Sequence, residues 1–290
     1  MSKKKAEKLN RLANELEEEG KIEDAIKAYK QAIKNDKNWS VSYYNLGLLY
    51  KREKDWKKSF YYNFHAARLD KSDEAAWWNM GIAASALGDW KMAKRAWKGF
   101  GINVPSDGKE DDEPKMEIGI TPVRLIENRE VVWTKRLDPA RVMIENIPTP
   151  ESKRRYLDIV LNDGAPNGMR FIDDRPFHVF DELQLLKPSE YMSFQIWVAD
   201  AKEFQINSLE KRCGEKGFGF ENWTNSLRQI CKQCSEGAPH QHHDEELKKN
   251  KKEGEFILAI AAKSEAELKE VLEAWKKEFN ISEMEWERFI

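Results

Sequence analysis

Residues 43–50 read YYNLGLLY, and residues 77–84, exactly one 34-residue step further along, read WWNMGIAA. In both stretches two aromatic residues and an asparagine precede a large apolar residue, and a glycine follows it. Apolar residues at spacings of three and four are typical of an amphipathic helix. Because self-similarity at a fixed period indicates a repeat architecture, these two stretches decide the fold of the first part of the chain.

The same period extends over roughly the first hundred residues. The positions that coincide are Leu12, Leu46 and Met80; Ala13, Gly47 and Gly81; and Ala25, Ser59 and Ala93. Each copy contains two helical stretches joined by a short polar turn, in which Gly20 and Gly88 share a position with Lys54. Small residues at two fixed positions allow the two helices to cross closely. The pattern therefore predicts stacked helical hairpins.

This pattern resembles the tetratricopeptide repeat family, in three copies near residues 6–39, 40–73 and 74–104. The residues that carry the resemblance are Tyr43, Leu46, Gly47 and Tyr50, then Trp77, Met80, Gly81 and Gly88. Asn63 departs from the family, which usually has an aromatic residue there, and Tyr62 or Phe64 is a candidate to compensate. The resemblance implies a helical solenoid over residues 1–104.

The resemblance also implies a concave groove, lined by the first helix of each repeat, that holds a peptide or a helix of a partner protein. The groove positions are then Asn10, Asn14, Tyr44, Asn45, Leu48, Trp78, Asn79 and Ile82, with Lys51 and Arg52 at the rim. Amides can pair with an extended backbone, and aromatic residues supply contact area. The alternative is that the next segment of the chain covers Trp78 and Ile82, because a solenoid end needs a cap.

Some members of the family clamp a terminal carboxylate with a set of Lys, Arg and Asn residues. Asn14 and Asn45 match that set, but Asn10, Ala75 and Asn79 stand where cations are needed. The sequence therefore disfavours a carboxylate clamp and the co-chaperone role that goes with it.

Composition excludes several other classes of protein. The 49 Lys and Arg residues nearly balance the 51 Asp and Glu residues, which removes the usual argument for nucleic-acid binding. The sequence has no apolar run long enough for a transmembrane helix, and its polar start does not resemble a secretory signal. Three cysteines are too few for a disulfide framework, so we expect a cytoplasmic protein. Nothing in the sequence indicates an oligomeric state.

The pattern changes after residue 104. Residues 105–115 contain five acidic residues in one short run, which predicts a solvated acidic linker, with an acidic lure for a basic partner as the alternative. Short β-branched and aromatic runs over residues 116–188 predict a small antiparallel, barrel-like β-rich domain, in which residues 162–168 form a tight connection. Strands interleaved with helices over residues 189–290 predict an α+β region of ferredoxin-like topology. The fold class is thus α plus α+β.

A cluster of cysteines and histidines lies in this last region. Cys231 and Cys234 form a Cys-x-x-Cys pair, and His240, His242 and His243 follow a Gly-Ala-Pro turn. Two thiolates and two imidazoles suit tetrahedral Zn²⁺, so we predict a structural zinc site with Cys231, Cys234, His240 and either His242 or His243. The alternatives are buried cysteines on an amphipathic helix, histidines in a solvated loop, and a redox pair. We expect Cys213 to lie in the core.

The function predicted from these features is that of a non-enzymatic protein-binding module or adaptor. The sequence has no Walker-type loop, no Gly-x-Ser-x-Gly and no His-Glu-x-x-His. One version is a bacterial immunity or antitoxin-like protein that binds a toxin. The alternative is a metal-dependent hydrolase or nucleotide-modifying enzyme that uses the repeats as a targeting arm.

Overall fold

The structure is a computed structural model that describes residues 2–105, 108–116, 118–172, 175–226 and 254–290. The chain divides into two compact units. The first comprises Met1–Glu117 together with Leu137–Ala140, and the second comprises Ile118–Arg136 together with Arg141–Ile290. In the part of the chain that the structure describes, no helix has both the length and the apolar character needed to cross a membrane.

Helices build the first unit: α1 (Lys3–Glu18), α2 (Ile22–Asn35), α3 (Ser40–Arg52), α4 (Trp56–Leu69), α5 (Glu74–Leu87) and α6 (Trp90–Phe100). They form three hairpins, α1 with α2, α3 with α4, and α5 with α6. The predicted helical repeats are therefore confirmed. Aspartate is the N-cap residue of α4, α5 and α6. The side chains of Asp55, Asp73 and Asp89 each accept a hydrogen bond from a backbone N–H of the first turn.

The three hairpin turns have the same geometry. Lys21, Asp55 and Asp89 each donate a backbone hydrogen bond to the carbonyl five residues earlier, at 2.8, 2.9 and 3.0 Å. The residue before each donor has a positive φ: 74° at Gly20, 56° at Lys54 and 69° at Gly88. Glycine adopts this left-handed conformation without strain, whereas Lys54 adopts it at a cost. The 34-residue period of the sequence is therefore also the spacing between equivalent turns of the backbone.

Two glycines allow the helices of a hairpin to touch. A Cβ atom on Gly47 would lie 2.6 Å from Asn63 Nδ2, and one on Gly81 would lie 2.3 Å from Trp97 Cη2. Asn63, which replaces the usual aromatic residue, is fully buried and donates a hydrogen bond to the Ser59 carbonyl at 2.9 Å. A compact amide thus fills the space against Gly47, while Tyr62 stacks on the ring of Tyr50.

The second unit begins with a closed barrel of β1 (Ile120–Arg124), β2 (Val131–Arg136), β3 (Arg141–Ile144), β4 (Ile159–Ile172) and β5 (Arg175–Lys187). Each strand pairs antiparallel with the next, and β5 returns to pair with β1 in parallel. An antiparallel meander with an odd number of strands can close only through a parallel pair. Four valines, Leu125 and Ile144 form the buried core of this barrel, and Phe180 and Leu185 pack against them.

The prediction of a tight connection at residues 162–168 is wrong. These residues belong to β4, which pairs with β5 at both of its ends and at Asn162 and Pro166, with register shifts at Val160, Asn162, Pro166 and Met169. Glycine and proline mark irregularities within a long strand here, as they do at β-bulges.

A four-stranded antiparallel sheet completes the unit, with β6 (Met192–Val198), β7 (Gly219–Asn222), β8 (Phe256–Ala262) and β9 (Met284–Arg288) in the order β7-β8-β6-β9. Its helices are α7 (Glu203–Glu215), the short α8 (Trp223–Ser226) and α9 (Glu265–Phe279). Phe194 of β6 and Trp275 of α9 lie in the main core of the sheet. Ala259 and Ala261 on the other face lie with Ile147 and Trp223.

Candidate functional site

Three asparagines from the first helices of neighbouring repeats meet in the first unit. Asn45 of α3 donates from Nδ2 to the side-chain oxygens of Asn10 and Asn14 of α1, both at 3.4 Å. Asn10 is buried, Asn45 is half-buried and Asn14 is exposed. The structure therefore brings together three of the residues that the resemblance placed in the groove, at the surface where α1 faces α3.

Two residues that the sequence analysis did not assign complete this cluster. The Tyr29 hydroxyl of α2 lies 2.6 Å from Asn14 Oδ1 and 3.0 Å from Glu17 Oε2. Burial raises the pKa of the Tyr29 hydroxyl, and the carboxylate of Glu17 raises it further, so the hydroxyl remains a donor at neutral pH. Glu17 also forms an ion pair with Arg52. The spacing of Asn10, Asn14 and Glu17 in the sequence places them on one face of α1, and this spacing could have indicated that Glu17 belongs to the cluster.

A second polar contact connects α3 with α5. Lys51 Nζ donates to Asn79 Oδ1 at 3.1 Å, and both side chains are buried. Lys51 was expected at the rim of the groove, but its aliphatic stem and its ammonium group are both withdrawn from the surface. The hydrogen bond to Asn79 gives the ammonium group a partner at this buried position.

The aromatic and aliphatic positions of the predicted groove differ between repeats. Tyr44 and Leu48 of the second repeat are half-buried. In the third repeat, Ile82 has no exposed surface, and the Trp78 ring packs edge-on against Trp97 and Phe100 at 5.4 and 4.7 Å between centroids. Ile82 is therefore inaccessible to a ligand in this conformation, and Trp78 contributes to packing between α5 and α6. An open groove position and coverage by the next segment of the chain were the two alternatives for Trp78 and Ile82, and the contacts of Trp78 with α6 agree with coverage.

The groove positions thus fall into two groups. The accessible or partly accessible side chains are Asn14, Tyr44, Asn45, Leu48, Arg52 and Trp78, and the buried ones are Asn10, Lys51, Asn79 and Ile82. Four of the six accessible residues lie on α3, with Asn14 on α1 and Trp78 on α5.

The predicted zinc ligands Cys231, Cys234, His240, His242 and His243 lie outside the described residues. Among the residues that are described, no three His, Cys, Asp or Glu side chains are grouped so that they could hold a metal ion. Cys213 is fully buried in the core of the four-stranded sheet, as expected, and burial raises the pKa of its thiol to about 12. Its thiol is therefore unreactive at neutral pH.

Comparison with known proteins gives one family match and similarities to solved structures. Residues 13–53 match the family described as TPR repeat, and no curated protein matches the chain. The first TPR of Spaghetti (RPAP3), bound to the HSP90 peptide SRMEEVD, is 25% identical, covers 34% of this chain and 79% of its own, and has a TM-score of 0.33. The second TPR of the same protein, bound to the same peptide, is 26% identical and has a TM-score of 0.32. The match covers 34% of this chain and 91% of that chain. The family match covers the end of α1, all of α2 and all of α3, so this part of the helical unit is similar to a tetratricopeptide repeat.

Proposed function

We propose that the repeats bind an extended peptide segment of a partner protein at the surface where α1 faces α3. The observation that carries this proposal is the asparagine cluster. Asn45 uses its amide nitrogen to bind Asn10 and Asn14, which leaves its oxygen without a hydrogen bond among the described residues. Asn14 forms hydrogen bonds only through its side-chain oxygen. Among the described residues, its Nδ2 group therefore has no acceptor.

An unpaired amide donor beside an unpaired amide acceptor matches the chemistry of a peptide backbone. A backbone offers one N–H and one C=O per residue, and an amide side chain can pair with either. Tyr29 holds Asn14 in place, so less side-chain entropy is lost when a ligand binds. Tyr44 and Leu48, both half-buried on α3, supply apolar contact area beside the amides.

Partner capture with groove variants tests the proposal. The full chain would be used to capture proteins from the native cytosol, and a partner identified by mass spectrometry would be measured by calorimetry against each variant. We expect Asn14→Ala combined with Asn45→Ala to weaken binding by roughly thirtyfold, equivalent to about 2 kcal/mol. Lys30→Ala, at an exposed position on α2, is the matched control and should bind as the unmodified chain does.

Circular dichroism separates loss of binding from loss of fold, because the amide variants should retain full helicity. If a partner binds the double variant as tightly as the unmodified chain, the groove is not the binding site, and binding moves to the second unit. Trp78→Ala is unsuitable for this test, since its ring packs on Trp97 and Phe100.

We propose further that the chain acts in the cytoplasm as a non-enzymatic module. The lack of a complete catalytic motif in the sequence supports this. A toxin is one partner that suits a repeat unit joined to an unrelated sheet-rich unit, and a toxin-neutralisation assay would test that version. Failure of the purified chain to bind or neutralise any co-encoded toxin would count against it.

For residues 189–290 we propose a ferredoxin-like topology with a structural zinc site. The antiparallel order β7-β8-β6-β9, with α7 between β6 and β7 and α9 between β8 and β9, supports the topology. The zinc site rests on the spacing of Cys231, Cys234 and the three histidines. An experimental structure with a further strand inserted between β7 and β8 would contradict the topology.

A further inference from the structure

The α6 helix carries a stripe of basic residues on one face. Its sequence contains no acidic residue and four basic ones at spacings of three and four: Lys91, Lys94, Arg95 and Lys98. Residues at these spacings are neighbours on the surface of a helix. By contrast, α2, the equivalent helix of the first repeat, has two acidic residues beside its lysines. The charge of the α6 stripe is therefore not balanced by its own helix.

The α4 helix extends this basic face. It also contains no acidic residue. The guanidinium groups of Arg68 of α4 and Arg95 of α6 each lie 5.6 Å from the centroid of the Phe64 ring. Both arginines are exposed, and neither forms an ion pair with a described residue. Because like charges beside one ring repel each other, an anion placed between them is favoured. We call Arg68 and the four basic residues of α6 the cationic surface.

A turn from the acidic segment of the chain itself lies on one side of the cationic surface. This acidic turn, residues 109–112, is closed by a hydrogen bond from the Lys109 N–H to Asp112 Oδ2 at 2.7 Å. Lys91 Nζ lies 3.0 Å from Glu110 Oε2, and Lys94 Nζ donates to the Lys109 carbonyl at 3.0 Å. The cationic surface thus binds an acidic peptide of its own chain, through a carboxylate and through a backbone carbonyl.

The contacts of the acidic turn suit exchange with another segment. The side chains of Lys91 and Glu110 are 52% and 68% exposed, and exposed ion pairs contribute little to stability. The acidic turn bonds only to Lys91 and Lys94 among the basic residues of the surface, so a longer acidic segment has three further cations to pair with. A backbone carbonyl belongs to proteins and not to nucleic acids, which favours an acidic peptide over a phosphate backbone as the ligand.

We propose that the cationic surface binds an acidic segment of a partner protein, and that this segment displaces the acidic turn. The carboxylates of the partner pair with Arg68 and Arg95 beside the Phe64 ring and with the lysines of α6. The acidic turn is then an internal competitor that lowers the affinity for such partners. This surface lies on α4 and α6 and is separate from the asparagine cluster of α1 and α3.

Calorimetric titration of the full chain with the peptide acetyl-Glu-Asp-Asp-Glu-Glu-Asp-amide at low ionic strength tests the proposal. We expect saturable binding, weakened by about tenfold in Arg68→Gln combined with Arg95→Gln, because two exposed charge pairs are lost. Lys30→Gln combined with Lys34→Gln is the matched control. Both lysines are exposed on α2, so this variant removes the same charge outside the surface and should bind as the unmodified chain does.

The acidic turn allows a test of opposite sign. Glu110→Gln combined with Asp111→Asn removes two competing carboxylates, both at exposed positions. We expect this variant to bind the peptide more tightly, by about threefold or more. Loss of fold cannot produce a gain in affinity, so this result is independent of any effect of the arginine variant on stability.

The proposal is overturned if the peptide does not bind, or if the α2 control weakens binding as much as the arginine variant does. It is also overturned if the variant of the acidic turn fails to bind more tightly. Tighter binding of an oligothymidylate of the same charge would overturn it as well, because the surface would then suit a nucleic acid. None of these results bears on the asparagine cluster, which uses different residues.

Discussion

Replacing Gly81 with alanine perturbs the close crossing of α5 and α6 by a single methyl group. The added Cβ would lie 2.3, 2.4 and 2.7 Å from Cη2, Cζ3 and Cζ2 of Trp97. Since carbon atoms in contact normally lie about 3.5 to 4 Å apart, the ring must retreat by about 1 Å. Trp97 is fully buried and Trp78 packs against its ring, so it has little freedom to move.

The magnitude follows from two opposing effects. Overpacking of this kind costs up to about 3 kcal/mol, whereas alanine in place of glycine stabilises a helix by about 1 kcal/mol. We therefore expect Gly81→Ala to lower the free energy of unfolding by about 2 kcal/mol. Urea denaturation of the full chain, with hydrogen exchange of α5 and α6 to locate the effect, would measure this.

A second substitution makes the test specific to the contact. The three ring atoms that the methyl group meets all belong to the six-membered ring of the indole, so Trp97→Phe should remove the clash. In the Trp97→Phe background we expect Gly81→Ala to be neutral or stabilising. Gly214→Ala in α7 is the control, because its added Cβ would meet no atom within 4 Å. Equal destabilisation by Gly81→Ala in both backgrounds would refute the reasoning.

Three further predictions concern the second unit. Burial raises the pKa of Glu221 above its ordinary value of 4.5. The contribution of Glu221 to the free energy of unfolding therefore falls as pH rises from 4.5 through the raised pKa. Glu221→Gln should flatten the pH dependence of urea denaturation in that range, and an unchanged slope would contradict this. Arg154 Nε lies 2.7 Å from Glu182 Oε1, with the two side chains only 10% and 0% exposed, so Arg154→Met should cost about 3–5 kcal/mol in thermal or urea unfolding. The neighbouring Lys153→Met, at a side chain that is 71% exposed, should change stability by less than about 1 kcal/mol, and equal effects would argue against a buried pair. The purified chain should contain zinc, and Cys231→Ser should reduce that content and destabilise the second unit, whereas a metal-free chain of undiminished stability would disprove the site.

The helical repeats could be predicted because their signal is local. The 34-residue period sets which residues are apolar, which are small and where each turn falls, and Lys21, Asp55 and Asp89 bond across identical turns. Hydrogen bonds of a helix join residues four apart, so a short window of sequence contains most of the information. Strands are harder to predict in this way. The β1 strand contains Pro122 and β9 contains three charged residues, and proline and charged residues are uncommon in strands.

The helical repeats and the change to a sheet-rich second part follow from local patterns in the sequence. Three further features depend on the tertiary structure: Ile82 is buried, Tyr29 holds Asn14, and Asn146 meets Glu221 from 75 residues away. The physical reason is that burial and side-chain pairing depend on contacts between distant segments, whereas the periodicity of a sequence reports only which face of its own helix or strand a residue occupies.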